Sequence, residues 1–221
     1  AQAGAGGAGP AASGSYAAVW RHPTFLRLAP MGFFHYGGLI AVQSLWAGPW
    51  LIEVCGWTAA RAAQGLFTIN VAMLLSFMAW GSFVPRLYAR GWSAQRLIAV
   101  GAPLSLVALG LAIGLGSAAG AWVWVLFCVG CSVVSLSQPA VGLALPADLA
   151  GRALSAYNLV IFLGVFSLQW GIGIAIDLLR AAGWDTLSAY RGGFALLLVC
   201  CVASYVWFLC RAEPSPRAKP H

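Results

Sequence analysis

Residues 97–115 read LIAVGAPLSLVALGLAIGL and contain no charged side chain. A helix needs about 20 mostly apolar residues to cross the hydrocarbon core of a bilayer, so this stretch alone predicts a transmembrane span. The whole chain has the same character: 61% of its 221 residues are hydrophobic, 8% are charged, and the mean hydropathy is +0.85. Soluble domains have roughly 25% charged residues. The composition therefore excludes an ordinary soluble enzyme, a disordered protein and a nucleic-acid-binding domain of the usual kind.

Five more stretches have the length and apolar character of a membrane span, which gives six in all. The predicted spans, numbered 1 to 6 along the chain, cover residues of about 25–50, 62–84, 97–115, 121–145, 152–179 and 192–210. Pro139 interrupts span 4. Each apolar run is continuous, whereas membrane β-strands alternate apolar and polar residues. We therefore predict an all-α, polytopic membrane protein with six transmembrane helices.

The segments outside the spans divide the chain into three regions. Residues 1–18 are rich in Ala and Gly, which is typical of a flexible linker. Residues 19–211 form the predicted six-helix transmembrane domain, and residues 212–221 form a tail that we expect in the cytoplasm. The chain does not begin with Met, so we expect it to be part of a longer protein.

The basic residues between the predicted spans are unevenly distributed, with nine on the side that holds both termini and three on the opposite side. The nine are Arg21, Arg27, Arg86, Arg90, Arg96, Arg152, Arg211, Arg217 and Lys219, and the three are Arg61, Arg180 and Arg191. Basic loops stay in the cytoplasm, so this asymmetry places both termini there. We expect an integral protein of the inner (plasma) membrane of a bacterium, whose net charge of +7 belongs to membrane flanks and not to a nucleic-acid surface.

The sequence repeats itself weakly at an interval of about 90 residues. Trp80-Gly81 recurs as Trp170-Gly171, and residues 85–92 (PRLYARGW) recur as residues 177–184 (DLLRAAGW). Spans 1–3 then correspond to spans 4–6, and an odd number of spans per copy turns the second copy upside down. Such a 3+3 inverted repeat is typical of many secondary transporters. The alternative is a chance similarity between two helices rich in Ala, Leu and Gly.

Four segments resemble the C-terminal six-helix half of a major facilitator superfamily transporter. Residues 21–27 (RHPTFLR) lead into a span that ends in residues 45–51 (LWAGPWL), as in the seventh helix of several bacterial members. Residues 81–86 (GSFVPR), followed by Arg90-Gly91, resemble the family's cytoplasmic loop motif GxxxDRxGRR. Residues 146–152 (PADLAGR) resemble the loop before the eleventh helix, and the initial linker resembles the end of the long central loop.

The resemblance implies a parent protein of twelve helices, in which two halves move a solute through their interface. The partner of this chain would then be the N-terminal six-helix half or a second copy. The resemblance also implies that spans 1, 2, 4 and 5 line the pathway and that spans 3 and 6 face lipid. Pro85 stands where the loop motif has Asp and Tyr88 where it has Gly, so the usual carboxylate of this loop is missing. Residues 173–177 (GIAID) keep a GxxxD pattern on the other face.

Polar side chains inside the spans indicate a substrate pathway, because a polar group in a membrane span is costly and normally faces the bundle interior or a wet cavity. Gln43 shares a helix face with His35, and Gln169 returns to nearly the same line as Asn158 after three turns. We predict that the pathway is lined by His35, Gln43, Trp46, Asn70, Gln138, Asn158, Phe166 and Gln169. For the amides, the alternative is hydrogen bonding between helices. For His35, the alternative is a packing histidine bonded to a carbonyl.

Three charged residues near the span ends are candidates for a gate or loop role: Arg86, Arg90 and Asp177. The arginines are placed to brace the cytoplasmic mouth through helix-end carbonyls or a carboxylate of the other half. Membrane orientation alone explains them equally well. Asp177 is placed to cap an external gate or to pair with Arg180 at the surface.

Together these features predict one half of a secondary transporter that moves a small solute by alternating access. We expect no metal or other cofactor, because Cys128 and Cys131 lack a second Cys pair or a nearby His and no GxxxxGK[ST] motif for ATP is present. We expect no enzyme activity, since the serines of span 4 have no base within helical reach. The expected partners are the lipid bilayer and a small solute, with no nucleic acid. The alternative function is a non-transporting membrane scaffold or sensor module derived from a half transporter.

Overall fold

The computed structural model describes residues 16–211, and these residues form helices and no strand. Six helices are long and apolar enough to cross a membrane: Pro23–Val54 (α1), Ala59–Ala89 (α2), Ala94–Ala118 (α3), Ala121–Ala144 (α4), Ala147–Ala181 (α5) and Thr186–Cys210 (α6). A short helix, Tyr16–Trp20, precedes them. The chain is therefore an all-α, polytopic integral membrane protein, which confirms the predicted fold class.

The helices extend beyond most of the predicted span ends because polar residues cap them. The hydroxyl of Thr58, before α2, accepts a hydrogen bond from the N–H of Arg61 (3.3 Å). The hydroxyl of Ser93, before α3, accepts one from the N–H of Arg96 (3.2 Å). Such caps satisfy free N–H groups of the first helical turn. Hydropathy alone placed the helix starts too far inside, because the first turn of a capped helix need not be apolar.

The predicted linker and tail lie mostly outside the described residues. Residues 1–15 of the linker and the whole predicted tail, residues 212–221, belong to this part of the chain. The last three residues of the predicted linker, Tyr16, Ala17 and Ala18, are helical. They begin the short helix whose Val19 is fully buried against the bundle.

Three of the spans contain turns that are not regular α-helix, and in α3 this is only the last turn, Gly116–Ala118. In α4, Val133–Leu136 form a 3-10 turn. Pro139 follows this turn and cannot donate a hydrogen bond to the carbonyl four residues earlier. The predicted interruption at Pro139 is thus a tightened turn within one continuous span. In α1, three turns are π-helical: Gly32–Tyr36, Val42–Trp46 and Trp50–Val54.

The helices α1 and α4 form the centre of the bundle. In their most apolar stretches, 61% of α1 and 67% of α4 are buried, against 11% of α2. The outer helix α2 packs on α4, while α5 packs on α1 and on the second half of α4. The helices α3 and α6 pack on each other, α3 also on α4, and α6 also on α1 and α5. The other described helices therefore leave α2 largely uncovered.

Glycines bring α1 and α5 into backbone contact. A Cβ atom on Gly37 would lie 2.9 Å from the carbonyl carbon of Gly164, and a Cβ on Gly164 would overlap the carbonyl oxygen of Phe33. Nearer the start of α1, the buried Tyr157 of α5 donates a hydrogen bond to the carbonyl of Leu28 (2.9 Å). These contacts fix the position of α5 along α1.

The first and last described residues lie at the same edge of the bundle. Nε of Arg27, near the start of α1, donates a hydrogen bond to the carbonyl of Phe208, near the end of α6 (3.0 Å). Among residues 16–211, this edge carries seven arginines and one acidic residue, Asp148, whereas the opposite edge carries three basic and three acidic residues. We call the first the basic edge and the second the neutral edge.

The two segments that suggested an internal repeat end their helices in the same way. In Gly91-Trp92, after α2, and in Gly183-Trp184, after α5, the glycine N–H bonds to the carbonyl three residues earlier (2.9 Å). In both, the tryptophan N–H bonds to the carbonyl five residues earlier (3.1 Å). The glycines have φ angles of 82° and 90°, which is the left-handed geometry of a Schellman cap. The same local sequence thus closes the second and the fifth span.

We expect Gly164→Ala to destabilise the protein, because the added methyl group overlaps the carbonyl of Phe33 and separates α5 from α1. The expected cost is about 1–3 kcal/mol. Gly171→Ala is the matched control, since it lies on the same helix and a Cβ atom there meets nothing within 4 Å. Thermal unfolding of the purified variants in one detergent measures the difference. Equal stability of the two variants would contradict the close crossing.

The cap of α6 predicts a dependence of stability on pH. Asp185 accepts hydrogen bonds from the N–H (2.7 Å) and the hydroxyl (3.0 Å) of Ser188, and these bonds lower the pKa of its carboxyl below the usual 3.8. A carboxylate whose pKa is lowered by folding stabilises the folded state above the unfolded pKa and loses this contribution as the pH falls through the folded pKa. The variant Asp185→Asn still caps the helix but has no carboxyl group. We expect it to lose less stability than the original chain as the pH falls below 3.8. Identical acid unfolding curves for the variant and the original chain would contradict this.

Candidate functional site

The helix α1 reaches the surface of the bundle at one point within its length. From Leu28 to Leu51 its residues are buried or half-buried, except for the exposed Ser44 and Leu45. Both lie in the π-helical turn Val42–Trp46. Single π turns inside α-helices are frequent at functional sites, because they change the direction of the side chains they carry. This turn also carries two of the predicted pathway residues.

An amide pair joins α1 to α2 at this point. Nε2 of Gln43 donates a hydrogen bond to Oδ1 of Asn70 (2.8 Å), and Nδ2 of Asn70 donates to the carbonyl of Leu66 (2.8 Å). Gln43 is half-buried and Asn70 is exposed. Two of the predicted pathway residues, from spans 1 and 2, are therefore in direct contact.

A second polar contact joins α1 to α5. Nε2 of Gln169 donates a hydrogen bond to the hydroxyl of Ser44 (3.0 Å), which itself donates to the carbonyl of Ile40 (2.5 Å). The indole N–H of Trp46 donates to the backbone carbonyl of Gln169 (3.0 Å). The ring of Trp46 also lies against Gly173, where a Cβ atom would approach it to 3.2 Å. Three polar bonds thus connect the π turn of α1 to its two neighbours.

An open cleft of about 520 Å³ lies beside this polar cluster, which we call the amide cleft. Its lining residues are Leu45, Phe166, Ser167, Gln169 and Trp170. Phe166 is 66% exposed and Trp170 is 75% exposed. No ionisable side chain lines the cleft, so its walls offer apolar rings, an amide and a hydroxyl to a bound molecule.

Two predicted pathway residues lie away from the amide cleft. Asn158 is exposed on α5, but it precedes Gln169 by 11 residues, which is about 16 Å along a helix. Gln138 is half-buried on α4 and makes no side-chain hydrogen bond among the described residues. The structure therefore brings together Gln43, Asn70 and Gln169, and leaves the other two amides separate.

His35 lies in the core and not at the amide cleft. Its side chain is fully buried, with Nε2 3.0 Å from the carbonyl oxygen of Cys201 on α6 and Nδ1 3.4 Å from the hydroxyl of Ser105 on α3. These contacts agree with the alternative that His35 is a packing histidine bonded to a carbonyl. His35 therefore joins α1 to the two helices that the resemblance placed toward lipid.

Three residues that line the amide cleft, Leu45, Ser167 and Trp170, and Ser44 beside it were not among the sequence predictions. In a regular helix, neighbouring residues point in different directions. The π turn, which the sequence pattern does not predict, brings Ser44 to Gln169. Trp170 follows Phe166 by four residues and therefore lies on the same face of α5, so helical spacing could have predicted Trp170 from Phe166.

The three charged candidates for a gate make few contacts. Nη1 of Arg86 donates to the carbonyl of Ser82, one turn earlier in α2 (3.4 Å). The exposed side chain of Arg90 makes no hydrogen bond or ion pair with the described residues. Asp177 is exposed near the end of α5. The structure therefore places two of the candidates at the basic edge and one at the neutral edge.

An ion pair at the neutral edge differs from the expected one. Arg180 pairs with Glu53, at the end of α1, with 2.6 Å between Nη2 and Oε2, and not with Asp177. The pair ties the ends of α1 and α5 together about seven helical turns from the basic edge.

Nearby, burial raises the pKa of the Cys55 thiol, which donates to the carbonyl of Ala119 (3.4 Å) and stays protonated at neutral pH.

No protein-family model matches this sequence, and no curated protein sequence matches it at a significant level.

We expect the Gln43–Asn70 contact to contribute a measurable coupling energy. Amide contacts between membrane helices contribute about 0.6–2 kcal/mol, so a double-mutant cycle with Gln43→Ala and Asn70→Ala should give a coupling in that range. The control cycle pairs Gln43→Ala with Gln64→Ala, since Gln64 is exposed on α2 and its side chain makes no hydrogen bond with the described residues. Unfolding by denaturant in mixed micelles measures both cycles. Additive effects in the first cycle would contradict the contact.

Proposed function

We propose that this chain is one six-helix half of a secondary transporter of the major facilitator type, which moves a small solute across the membrane by alternating access. One observation carries the proposal: polar side chains of α1, α2 and α5 meet beside an open, uncharged cleft within the membrane-spanning region. Polar side chains at this depth normally face a water-filled cavity or the interior of a bundle. By contrast, Ser105 of α3 and Ser204 of α6 are buried.

The packing of the helices supports a half built as a 3+3 inverted repeat. In such a repeat, α1 corresponds to α4, α2 to α5 and α3 to α6. The contact of α1 with α5 then has its counterpart in the contact of α4 with α2, and the contact of α1 with α6 in that of α4 with α3. The matching caps after α2 and α5 agree with the same correspondence.

The uncovered surface of α2 and α5 supports a second six-helix unit as partner. Asn70 and Asn158 are exposed on these helices at membrane depth, where contact with lipid would leave polar groups without water. A second unit on this surface removes the polar groups from lipid and closes the cleft on its open side. That unit is the N-terminal half of the same transporter or a second copy of this chain.

In the proposed mechanism, the residues of the amide cleft bind the solute between the two halves. Gln43 exchanges its hydrogen bond to Asn70, and Gln169 its hydrogen bond to Ser44, for hydrogen bonds to the solute, and Phe166 and Trp170 form the apolar walls. Because no charged side chain lines this cleft, the proposed solute is small and uncharged, unless the other half supplies a counter-charge. Both ends of the chain lie in the cytoplasm in this proposal, because the positive-inside rule assigns the basic edge to that side, and the membrane is a bacterial inner membrane.

One observation favours the alternative function of a non-transporting scaffold or sensor. The amides in question already bond to protein groups: Gln43 to Asn70 and Gln169 to Ser44. Amides paired in this way also act as adhesive contacts between helices. The transport experiment below separates the two functions.

We expect full-length protein in proteoliposomes to take up at least one solute from a panel of uncharged sugars, polyols and amides. Gln43→Leu and Gln169→Leu should each abolish this uptake, because each removes a hydrogen-bonding group from the amide cleft. Gln95→Leu is the control, since Gln95 lies at the start of α3 and away from the amide cleft. All variants should unfold within a few degrees of one another.

Unchanged uptake by the two leucine variants would remove these amides from the transport site. Uptake of no solute by the full-length protein, combined with stable association with another membrane protein, would favour the scaffold or sensor.

A further inference from the structure

A second open cleft, of about 490 Å³, lies at the basic edge, which we call the edge cleft. It is formed by the end of α2, the start of α3 and the end of α4. Its walls include Val84, Tyr88, Trp92, Leu136, Ala140 and Leu143. Leu143 is 85% exposed, so the cleft offers apolar surface at the level where three spans leave the membrane. Tyrosine and tryptophan at this level are typical of the interface between hydrocarbon and headgroups.

Two exposed arginines lie close in sequence to residues that line this cleft. Arg90 follows Tyr88 by two residues, and Arg96 directly follows Gln95, which lines the cleft. Both are exposed, and their side chains make no hydrogen bond or ion pair with the described residues. The acidic residue of this edge in the described chain, Asp148, begins α5 and forms no ion pair with either of them. The edge cleft thus combines an apolar wall with two uncompensated positive charges.

We propose that the edge cleft binds an anionic phospholipid. The phosphate of the headgroup lies between Arg90 and Arg96, and an acyl chain lies along Val84, Leu136 and Leu143. This inference requires only that the chain is inserted in a membrane, and it does not depend on the proposed transport function.

The chemistry of the cleft selects this occupant among those available at a membrane edge. A free phosphate ion satisfies the arginines but leaves the apolar wall in water. A zwitterionic lipid covers the wall but brings its own positive charge to the arginines. The predicted tail of the chain carries Arg217 and Lys219 against Glu213, so its net charge is positive and does not complement the site. Basic pockets between membrane helices are known to take anionic headgroups for these reasons.

Native mass spectrometry of the full-length protein, titrated with phosphatidylglycerol or phosphatidylcholine of the same acyl chains, tests the proposal. We expect phosphatidylglycerol to bind more tightly. The double variant Arg90→Gln/Arg96→Gln should weaken its binding roughly thirtyfold at low salt, or about fivefold per arginine, while phosphatidylcholine binding changes little. Arg86→Gln is the control, because Arg86 lies within α2 and bonds to the carbonyl of Ser82, whereas Arg90 lies beyond the last helical residue of α2, between the cleft residues Tyr88 and Trp92. Its effect should stay below about twofold.

A second variant tests the apolar wall separately from the charges. Ala140→Trp fills the cleft and should weaken phosphatidylglycerol binding without altering either arginine. If the double variant fails to fold, salt at about 0.5 M replaces it, since screening should then reduce phosphatidylglycerol binding toward that of phosphatidylcholine.

Three results would overturn the proposal. The first is equal binding of the two lipids to the unmodified protein. The second is an equal loss of binding in Arg86→Gln and in the double variant. The third is full phosphatidylglycerol binding in Ala140→Trp, or inorganic phosphate that competes at the same concentration as the lipid, either of which would indicate a simple anion site at the arginines.

Discussion

Hydrocarbon offers no hydrogen bonds, and this constraint governs every polar side chain in the six spans. Two buried ones find partners inside the protein: His35 contacts the carbonyl of Cys201, and Tyr157 donates to the carbonyl of Leu28. Each of these bonds joins two helices, so the polar groups hold the bundle together at chosen points. The polar groups that remain at the surface, on α1, α2 and α5, lie beside the amide cleft.

The site depends on a backbone contact some distance away. Gly37 and Gly164 allow α1 and α5 to touch, and five residues further along α5 this contact places Gln169 beside Ser44. The π turn Val42–Trp46 then presents Gln43 to α2 while Ser44 faces α5. Side chains larger than hydrogen at the crossing would separate α1 from α5 and break the two polar bonds between these helices together. Packing, local helix geometry and the chemistry of the amide cleft are therefore linked.

The two edges of the bundle have different electrostatic characters. At the neutral edge, Arg180 and Glu53 pair with each other and tie α5 to α1. At the basic edge, Arg90 and Arg96 find no acid among the described residues. Exposed ion pairs contribute little to stability, so the difference matters less for folding than for the surroundings that each edge attracts. An uncompensated basic edge is adapted to anionic lipid, and a compensated edge is not.

The sequence by itself determined that the chain spans a membrane and how many spans it has. The reason is that hydrocarbon imposes its thickness and apolarity on every span regardless of its neighbours. It also identified Gln43, Asn70 and Gln169, since polar groups are conspicuous in apolar helices. Only the tertiary structure decided which of these residues meet, that His35 belongs to the core, and that Arg180 pairs with Glu53. The physical reason is that such contacts depend on a glycine crossing and a π turn, which shift helices by single residues. Hydropathy and helical spacing do not encode shifts of that size.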